Sequence, residues 1–452
     1  MSRTEFWAAH ALLPDGPARE VLFEVEDGRF TRVEPGTAPG GARRLSGVVL
    51  PGLATAHSHA FHRALRGRTH DGGGTFWAWR EAMYRLAGRL DPDSLYRLAR
   101  ATYAEMVLAG ITTVGEFHYL HHDHRGARYT EPNAMGEALR AAAREAGIRL
   151  TLLDTLYLTG GLDAGGPVPL EGVPQRFGDG SAEAWGARVA ELAEDDACRV
   201  GLAVHSVRAV PPGALRTARE VADQLSRRPG ARPDRPPVVH AHVSEQPAEN
   251  EACLAAYGHT PTAVLSDAGL VDDRFTAVHA VHLSEGDIAL LGRARATVAA
   301  CPTTERDLAD GIAPVRALLR AGTRISLGSD QHVETDLLAE ARALEHHERL
   351  TSLHRGRLSP AALLTAATRH ASLDWPDVGA LAVGQRADMV SVRLDTVRTA
   401  GTDPTQVIMV ASSTDVDTVV RDGQLVVEHG RHRIGDVGRL LDEAIRPLWM
   451  AP

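Results

Sequence analysis

The sequence predicts an α/β protein: a distorted TIM (β/α)8 barrel with a small β-sandwich domain built from both chain ends. Three observations carry that expectation. Eight short apolar segments recur through the middle of the chain, separated by Ala- and Arg-rich segments of helical periodicity. Several of the eight are continuous apolar runs, as expected of parallel strands buried on both faces. The first 46 residues and a stretch near the C-terminus share another texture, short strands joined by tight turns.

The elements follow in order. Residues 1–46 contain strand-like 21–25 and 29–33 around an Asp27-Gly28 turn signal. Similar strands recur at 387–392 and 418–427, so residues 381–435 are assigned to the same small domain. Residues 47–380 are assigned to the barrel, with strands at 48–56, 112–117, 149–157, 199–205, 237–243, 275–280, 296–301 and 324–327. Eight βα units over roughly 330 residues fit such a barrel with insertions. Helical segments such as 134–146 and 181–194 lie between the strands. Residues 72–74, all glycine, and the proline-rich 229–236 read as exposed loops, the first placed to move over a barrel mouth. Residues 436–452 close the chain with a terminal amphipathic helix (437–450) and tail.

Composition narrows the function. The 452 residues carry a formal charge of −9 and no long basic run, which gives no reason to expect a nucleic-acid partner. No apolar run reaches membrane-spanning length, and the N-terminus lacks a secretory pattern. Cys198, Cys253 and Cys301 are odd in number and far apart, so the expected setting is a reducing cytoplasm without disulfides. All 49 basic residues are arginine. Chemistry that needs a lysine is therefore excluded: a Schiff base, a phosphate-loop lysine, or a carboxylated lysine bridging two metals.

Barrel active sites sit at the C-terminal ends of the strands. Strand one ends in His57-Ser58-His59, whose two imidazoles share a face because side chains at i and i+2 do. Strand five ends in His240-Ala241-His242-Val243-Ser244-Glu245, strand six at His279, and strand eight in Gly328-Ser329-Asp330. Two or three neutral imidazoles with a carboxylate hold a divalent metal and leave a position for water. Glu245, three residues beyond His242, is placed to take that water's proton and deliver it to a leaving nitrogen. His279 and Asp330 can orient the attacking oxygen and stabilise developing charge. His240 lies deeper in its strand and is expected to be a core residue.

With flanking small β strands, His57-Ser58-His59, His242, His279 and Asp330 resemble the amidohydrolase superfamily over nearly the whole chain. The resemblance implies His57, His59, His242 and Asp330 as ligands, with Glu245, His279 and Asp330 as the proton-handling set. Dinuclear members usually bridge two metals through a carboxylated lysine at the end of strand four, which here reads Ala203-Val204-His205-Ser206. One divalent ion is therefore implied, zinc or iron. Residues 76–84, 115–123, 205–210 and 301–308 are similar to the N-formimidoyl-L-glutamate deiminases of bacterial histidine degradation. That similarity implies hydrolysis of a formimidoyl C=N to a formyl C=O with release of ammonia.

A dicarboxylate substrate needs fixed cations, and arginine suits bidentate carboxylate binding. Arg208, just past strand four, and Arg80, in the expected loop after strand one, are the candidates. Tyr119 and His205 can add hydrogen bonds. His62 stands where the family often has Gln and is a further candidate contact. Trp77 and Trp79 are expected to be loop packing, and His118, His121, His122 and His124 solvated or supporting residues on a polar loop. The expected partner is a small-molecule dicarboxylate, and the expected assembly a homodimer. Two rivals remain: a single-metal deaminase of a purine, pyrimidine or triazine ring, with an aromatic-lined pocket, and a barrel that has lost catalysis and only binds or scaffolds. Cytidine-deaminase-type zinc chemistry needs Pro-Cys-x-x-Cys, which Cys301-Pro302 does not supply.

Overall fold

The computed structural model describes residues 3–69, 76–227 and 236–450. The expected loop at 72–74 lies outside the described residues, as does that at 229–236 apart from Pro236. Four strands open the chain: β1 (Thr4–Leu13), β2 (Gly16–Glu26), β3 (Arg29–Glu34) and β4 (Arg43–Pro51). Then come β5 (Leu53–Ser58), β6 (Ile111–His118), β7 (Arg149–Leu156), the short β8 (Gly161–Asp163) and β9 (Gly166–Val168), and β10 (Cys198–Val204). The middle of the chain ends with β11 (Val239–Val243), β12 (Phe275–His279), β13 (Thr297–Ala300) and β14 (Arg324–Leu327). The last four are β15 (Met389–Val392), β16 (Val416–Arg421), β17 (Gln424–Glu428) and β18 (Arg431–His432).

The two chain ends pair, as expected. Their strands form one hydrogen-bonded order, β18-β17-β16-β15-β4-β1-β2-β3, over a core that includes Phe6, Phe23, Phe30 and Met389. Asp27 and Gly28 turn β2 into β3 with φ of 50° and 77°, the left-handed values that a two-residue hairpin demands and that Asp-Gly tolerates.

The barrel strands follow the order β14-β13-β12-β11-β10-β7-β6-β5, and every neighbouring pair is parallel. The ring closes at the C-terminal ends of β5 and β14. There the Ser329 and Asp330 N–H groups both donate to the His57 carbonyl at 3.0 Å, and the His59 N–H donates to the Asp330 carbonyl at 3.1 Å. The first expected strand, 48–56, is two. β4 ends at Pro51 in the small sheet, and β5 starts at Leu53 in the barrel. Gly52 makes the transfer, because a Cβ there would stand 2.3 Å from Thr112 Oγ1. An unbroken apolar run hides that change of sheet, since both strands are buried.

Arg149, at the start of β7 and fully buried, ties barrel to small domain. It donates to Asp388 Oδ2 and Oδ1 at 2.7 and 3.0 Å and to Asp422 Oδ1 at 2.6 Å. The terminal helix Val437–Trp449 buries Val437, Leu441, Ala444 and Leu448, the spacing of one helix face. The three cysteines are buried and unpaired. Among the described residues, no helix is long and apolar enough to cross a membrane.

Candidate active site

The strand ends bring the predicted donors together. The His57 and His59 rings lie edge to face with centroids 4.7 Å apart, and His242 stands 4.9 Å from His57. Asp330 Oδ1 is 3.2 Å from His57 Nε2 and 3.6 Å from His59 Nε2. Donor atoms of His57, His59 and Asp330 fall within 4.8 Å of one another, and so do those of His57, His242 and His279. The backbone is held in unusual conformations here: Ser244, His279 and Asp330 have φ of 51°, 66° and 42°. Each costs on the order of 1 kcal/mol, a strain found where a fold fixes functional groups.

The hydrogen bonds set the tautomers. His59 Nδ1–H donates to the Phe117 carbonyl at 2.9 Å, and His242 Nδ1–H to the His205 carbonyl at 2.9 Å. Each Nε2 lone pair is then free as a donor. Neither ring nitrogen of the fully buried His57 makes a hydrogen bond in acceptable geometry. A buried imidazole with both nitrogens unmatched fits a metal ligand, because buried polar groups otherwise find partners. Burial pushes the His57 pKa down, and burial with the neighbouring His57 takes His59 to about 3. His242 is held well below 6.5 by the same two causes. Burial alone would raise the Asp330 carboxyl, but His57, with His279 and His59 beside it, holds it well below the usual range. Neutral imidazoles and an ionised carboxylate are the protonation states that a divalent cation requires.

Glu245 faces both sides of this cluster. Its Oε1 is 3.6 Å from His279 Nε2, and its Oε2 accepts from Arg208 Nη2 at 2.9 Å. His279 Nδ1 is 3.5 Å from Glu305 Oε1, and its Nε2 is 3.9 Å from Asp330 Oδ2. Burial opposes the imidazolium, yet Glu245, Glu305 and Asp330 carry the His279 pKa to about 10. Glu305 was not foreseen, although it lies in the 301–308 stretch. It caps its helix by accepting from the Cys301 N–H at 2.8 Å.

The expected binding residues line the same cavity. His62, Arg80, Tyr119, His205 and Arg208 all face it, with His59, His242, Glu245 and Asp330 at its floor. His62 is buried, with Nε2 3.0 Å from the Tyr119 hydroxyl and its ring 4.5 Å from His59. Arg80 donates to the Gly160 carbonyl at 2.9 Å and to the Tyr157 hydroxyl at 3.4 Å. His205 packs its ring 4.4 Å from Tyr157. Tyr157, just past β7, also lines the cavity, and no sequence signal marked it.

Three expectations are corrected. Arg80 and Trp79 lie on the helix Phe76–Ala87 rather than a loop, and Trp79 packs against His62 at 5.2 Å in the cavity wall. That helix has no glycine or proline and buries Phe76, Ala82, Met83, Leu86 and Ala87. His118, His121 and His122 are buried, not solvated, and only His124 is exposed. His121 Nε2–H donates to the Thr155 carbonyl at 2.8 Å, and His122 lies 3.2 Å from Asp179, in a network held by Arg188 and Asp154. His240, as expected, is buried in β11, with its Nε2 on the Ser372 carbonyl at 3.1 Å. The side chain of Trp77 lies outside the described residues.

The comparisons with known proteins agree with this geometry. Residues 4–47 match the N-terminal domain of formimidoylglutamate deiminase HutF, and residues 48–426 match the amidohydrolase family. The chain is 37% identical over 449 residues to the formimidoylglutamate deiminase of Pseudomonas aeruginosa, covering 94% of this chain and 95% of the relative. It is 28% identical to the 8-oxoguanine deaminase of the same organism, covering 94% and 91%. The crystal structure of an amidohydrolase from Brucella melitensis superposes with a TM-score of 0.89 at 31% identity, covering 99% of this chain and 100% of the other. With the barrel, the converged donors and a match spanning most of its length, this chain belongs to the amidohydrolase family.

Proposed function

We propose that the protein hydrolyses N-formimidoyl-L-glutamate to N-formyl-L-glutamate and ammonia, with one divalent ion, zinc or iron, held by His57, His59, His242 and Asp330. The observation that carries this reading is the meeting of two guanidinium groups, Arg80 and Arg208, with the His/Asp donors and Glu245 in one cavity. A neutral heterocyclic ring has no use for two fixed cations, whereas a substrate with two carboxylates does. The likeness to the Pseudomonas deiminase supports the same substrate. Retention of every donor, and of Glu245 beside them, speaks against a barrel that only binds.

A divalent ion at these donors would supply a water whose pKa is lowered towards neutrality. The chain's own groups do the rest. Arg208 and Arg80 orient the carboxylates, and Tyr119, His62 and His205 complete the wall around the formimidoyl arm. Glu245 takes a proton from the attacking water and passes it to the departing nitrogen. His279, held protonated among three carboxylates, orients the attacking oxygen and stabilises the charge that develops there. The C=N bond becomes C=O, and both water protons leave on ammonia.

The test is an ammonia-release screen of metal-loaded protein, with the metal measured on the same sample. Formimidoyl-glutamate should turn over at least about a hundredfold faster than cytosine or guanine, by kcat/KM. Equal or better turnover of the ring amines refutes the assignment.

A further inference from the structure

Arg208 is enclosed between two carboxylates of its own chain. Its Nη2 donates to Glu245 Oε2 at 2.9 Å, while its Nε lies 3.5 Å from Glu249 Oε2. The two contacts differ in kind. The first is a charge-assisted hydrogen bond, but neither Arg208 Nε nor Glu249 Oε2 makes any hydrogen bond, and both atoms are buried. Glu249 is 2% exposed and sits in the first turn of the helix Pro247–Tyr257, with Oε1 accepting from the Ser244 N–H at 3.3 Å. It is thus a carboxylate fixed behind the guanidinium by the Ser244 N–H. On its other side, Arg208 lies over the Phe76 ring at 5.6 Å.

This arrangement sets two tasks against each other. A carboxylate oxygen that accepts from a guanidinium is held towards it, so while Oε2 stays on Arg208 the Glu245 side chain is tethered away from other partners. The proposed reaction needs Glu245 as a base, yet Glu245 holds the group that must bind substrate. A substrate carboxylate that bonds Arg208 through Nη2 competes there with Glu245 Oε2. Glu249 keeps a negative charge against the guanidinium throughout, so the exchange leaves no buried cation unpaired.

We infer that the substrate's own carboxylate switches the enzyme on: Arg208 restrains Glu245 until a substrate carboxylate takes the guanidinium, and Glu249 is the positioning residue that holds Arg208 through the exchange. The inference rests on the reading above, in which Arg208 receives a carboxylate and Glu245 moves the proton. It places part of the discrimination against amidines without carboxylates in kcat rather than in KM alone.

The experiment uses N-ethylformamidine, the same amidine without carboxylates, assayed for ammonia beside formimidoyl-glutamate on metal-loaded protein. Propionate added in trans should raise kcat for N-ethylformamidine saturably, by about tenfold, while propionamide does not. R208M should raise that kcat without propionate by a similar factor, abolish the propionate effect, and lower kcat/KM for formimidoyl-glutamate. Were Arg208 only a binding group, R208M would leave N-ethylformamidine turnover as it was. Glu249→Gln should lower kcat for formimidoyl-glutamate several-fold with a smaller change in KM, and Glu249→Asp should recover part of it. Propionate that inhibits the wild-type protein, or leaves N-ethylformamidine turnover unchanged or undetectable, overturns the inference, and this arm needs no variant to fold. An unchanged kcat in Glu249→Gln removes Glu249 from it. Absence of turnover of formimidoyl-glutamate itself would instead overturn the proposed function, and the same assay separates the two.

Discussion

Replacing Glu245 by glutamine removes a proton carrier and an anion while keeping the shape of the side chain. Proton transfer by a positioned carboxylate contributes about 10²–10⁴ in rate, or ~2.7–5.5 kcal/mol of barrier. A second effect has the opposite sign on binding. In the native site Oε2 accepts from Arg208 Nη2 at 2.9 Å, so a carboxylate that bonds this edge of the guanidinium meets a charged competitor. A neutral amide competes less, by roughly the 1–2 kcal/mol that separates a charged from a neutral hydrogen bond, or about 5–30-fold in Kd. Glu245→Gln should therefore lose about 10³ in kcat while binding the product N-formyl-glutamate more tightly. Its metal content should not change, since Glu245 is not among the four proposed ligands, His57, His59, His242 and Asp330. Steady-state ammonia release, titration calorimetry with product, and metal analysis on one preparation measure all three. Loss of metal would show that Glu245 is a ligand, and a fall in kcat below tenfold would show that another group moves the proton.

Two further outcomes concern the scaffold. Arg149→Leu leaves Asp388 buried without its bidentate partner, at a cost of about 3–5 kcal/mol and a Tm roughly 3–5 °C lower. Activity below the transition should be retained, and a Tm within a degree of wild type would contradict the account. His370 is buried and neutral, with Nε2–H on the Gly52 carbonyl at 2.8 Å and Nδ1 accepting from Thr113 Oγ1 at 2.9 Å. Burial takes its pKa to about 4, below the value of 6.5 it regains on unfolding. The unfolded chain thus binds more protons between those values, and stability must fall as pH drops through that window. Urea unfolding at pH 7 and pH 5 should show about 2 kcal/mol of this loss in the wild type and not in His370→Gln. Equal slopes in the two proteins would refute the assignment.

What could be read from the sequence follows from how local each cause is. His57 and His59 were legible because the strand period alone puts i and i+2 on one face, and their partners because a barrel gathers its strand ends. The single-metal expectation came from an absence, the missing lysine, which needs no geometry. The change of sheet at Gly52 was not legible, because continuity of apolar residues says that a strand is buried but not in which sheet. Nor was the burial of His118, His121 and His122. Their segment is polar, and Asp154, Thr155, Asp179 and Arg188, contributed by later segments, supply the partners that make burial affordable. Arg208 shows the limit most sharply. Its residue type and position after strand four suggest a carboxylate site, yet a sequence cannot say which carboxylate. The fold supplies Glu245, thirty-seven residues away, as the direct partner and Glu249 as the second. Two anions on one guanidinium turn a binding residue into a competitor for the base, so the chemistry expected of Arg208 depends on contacts that only tertiary structure creates.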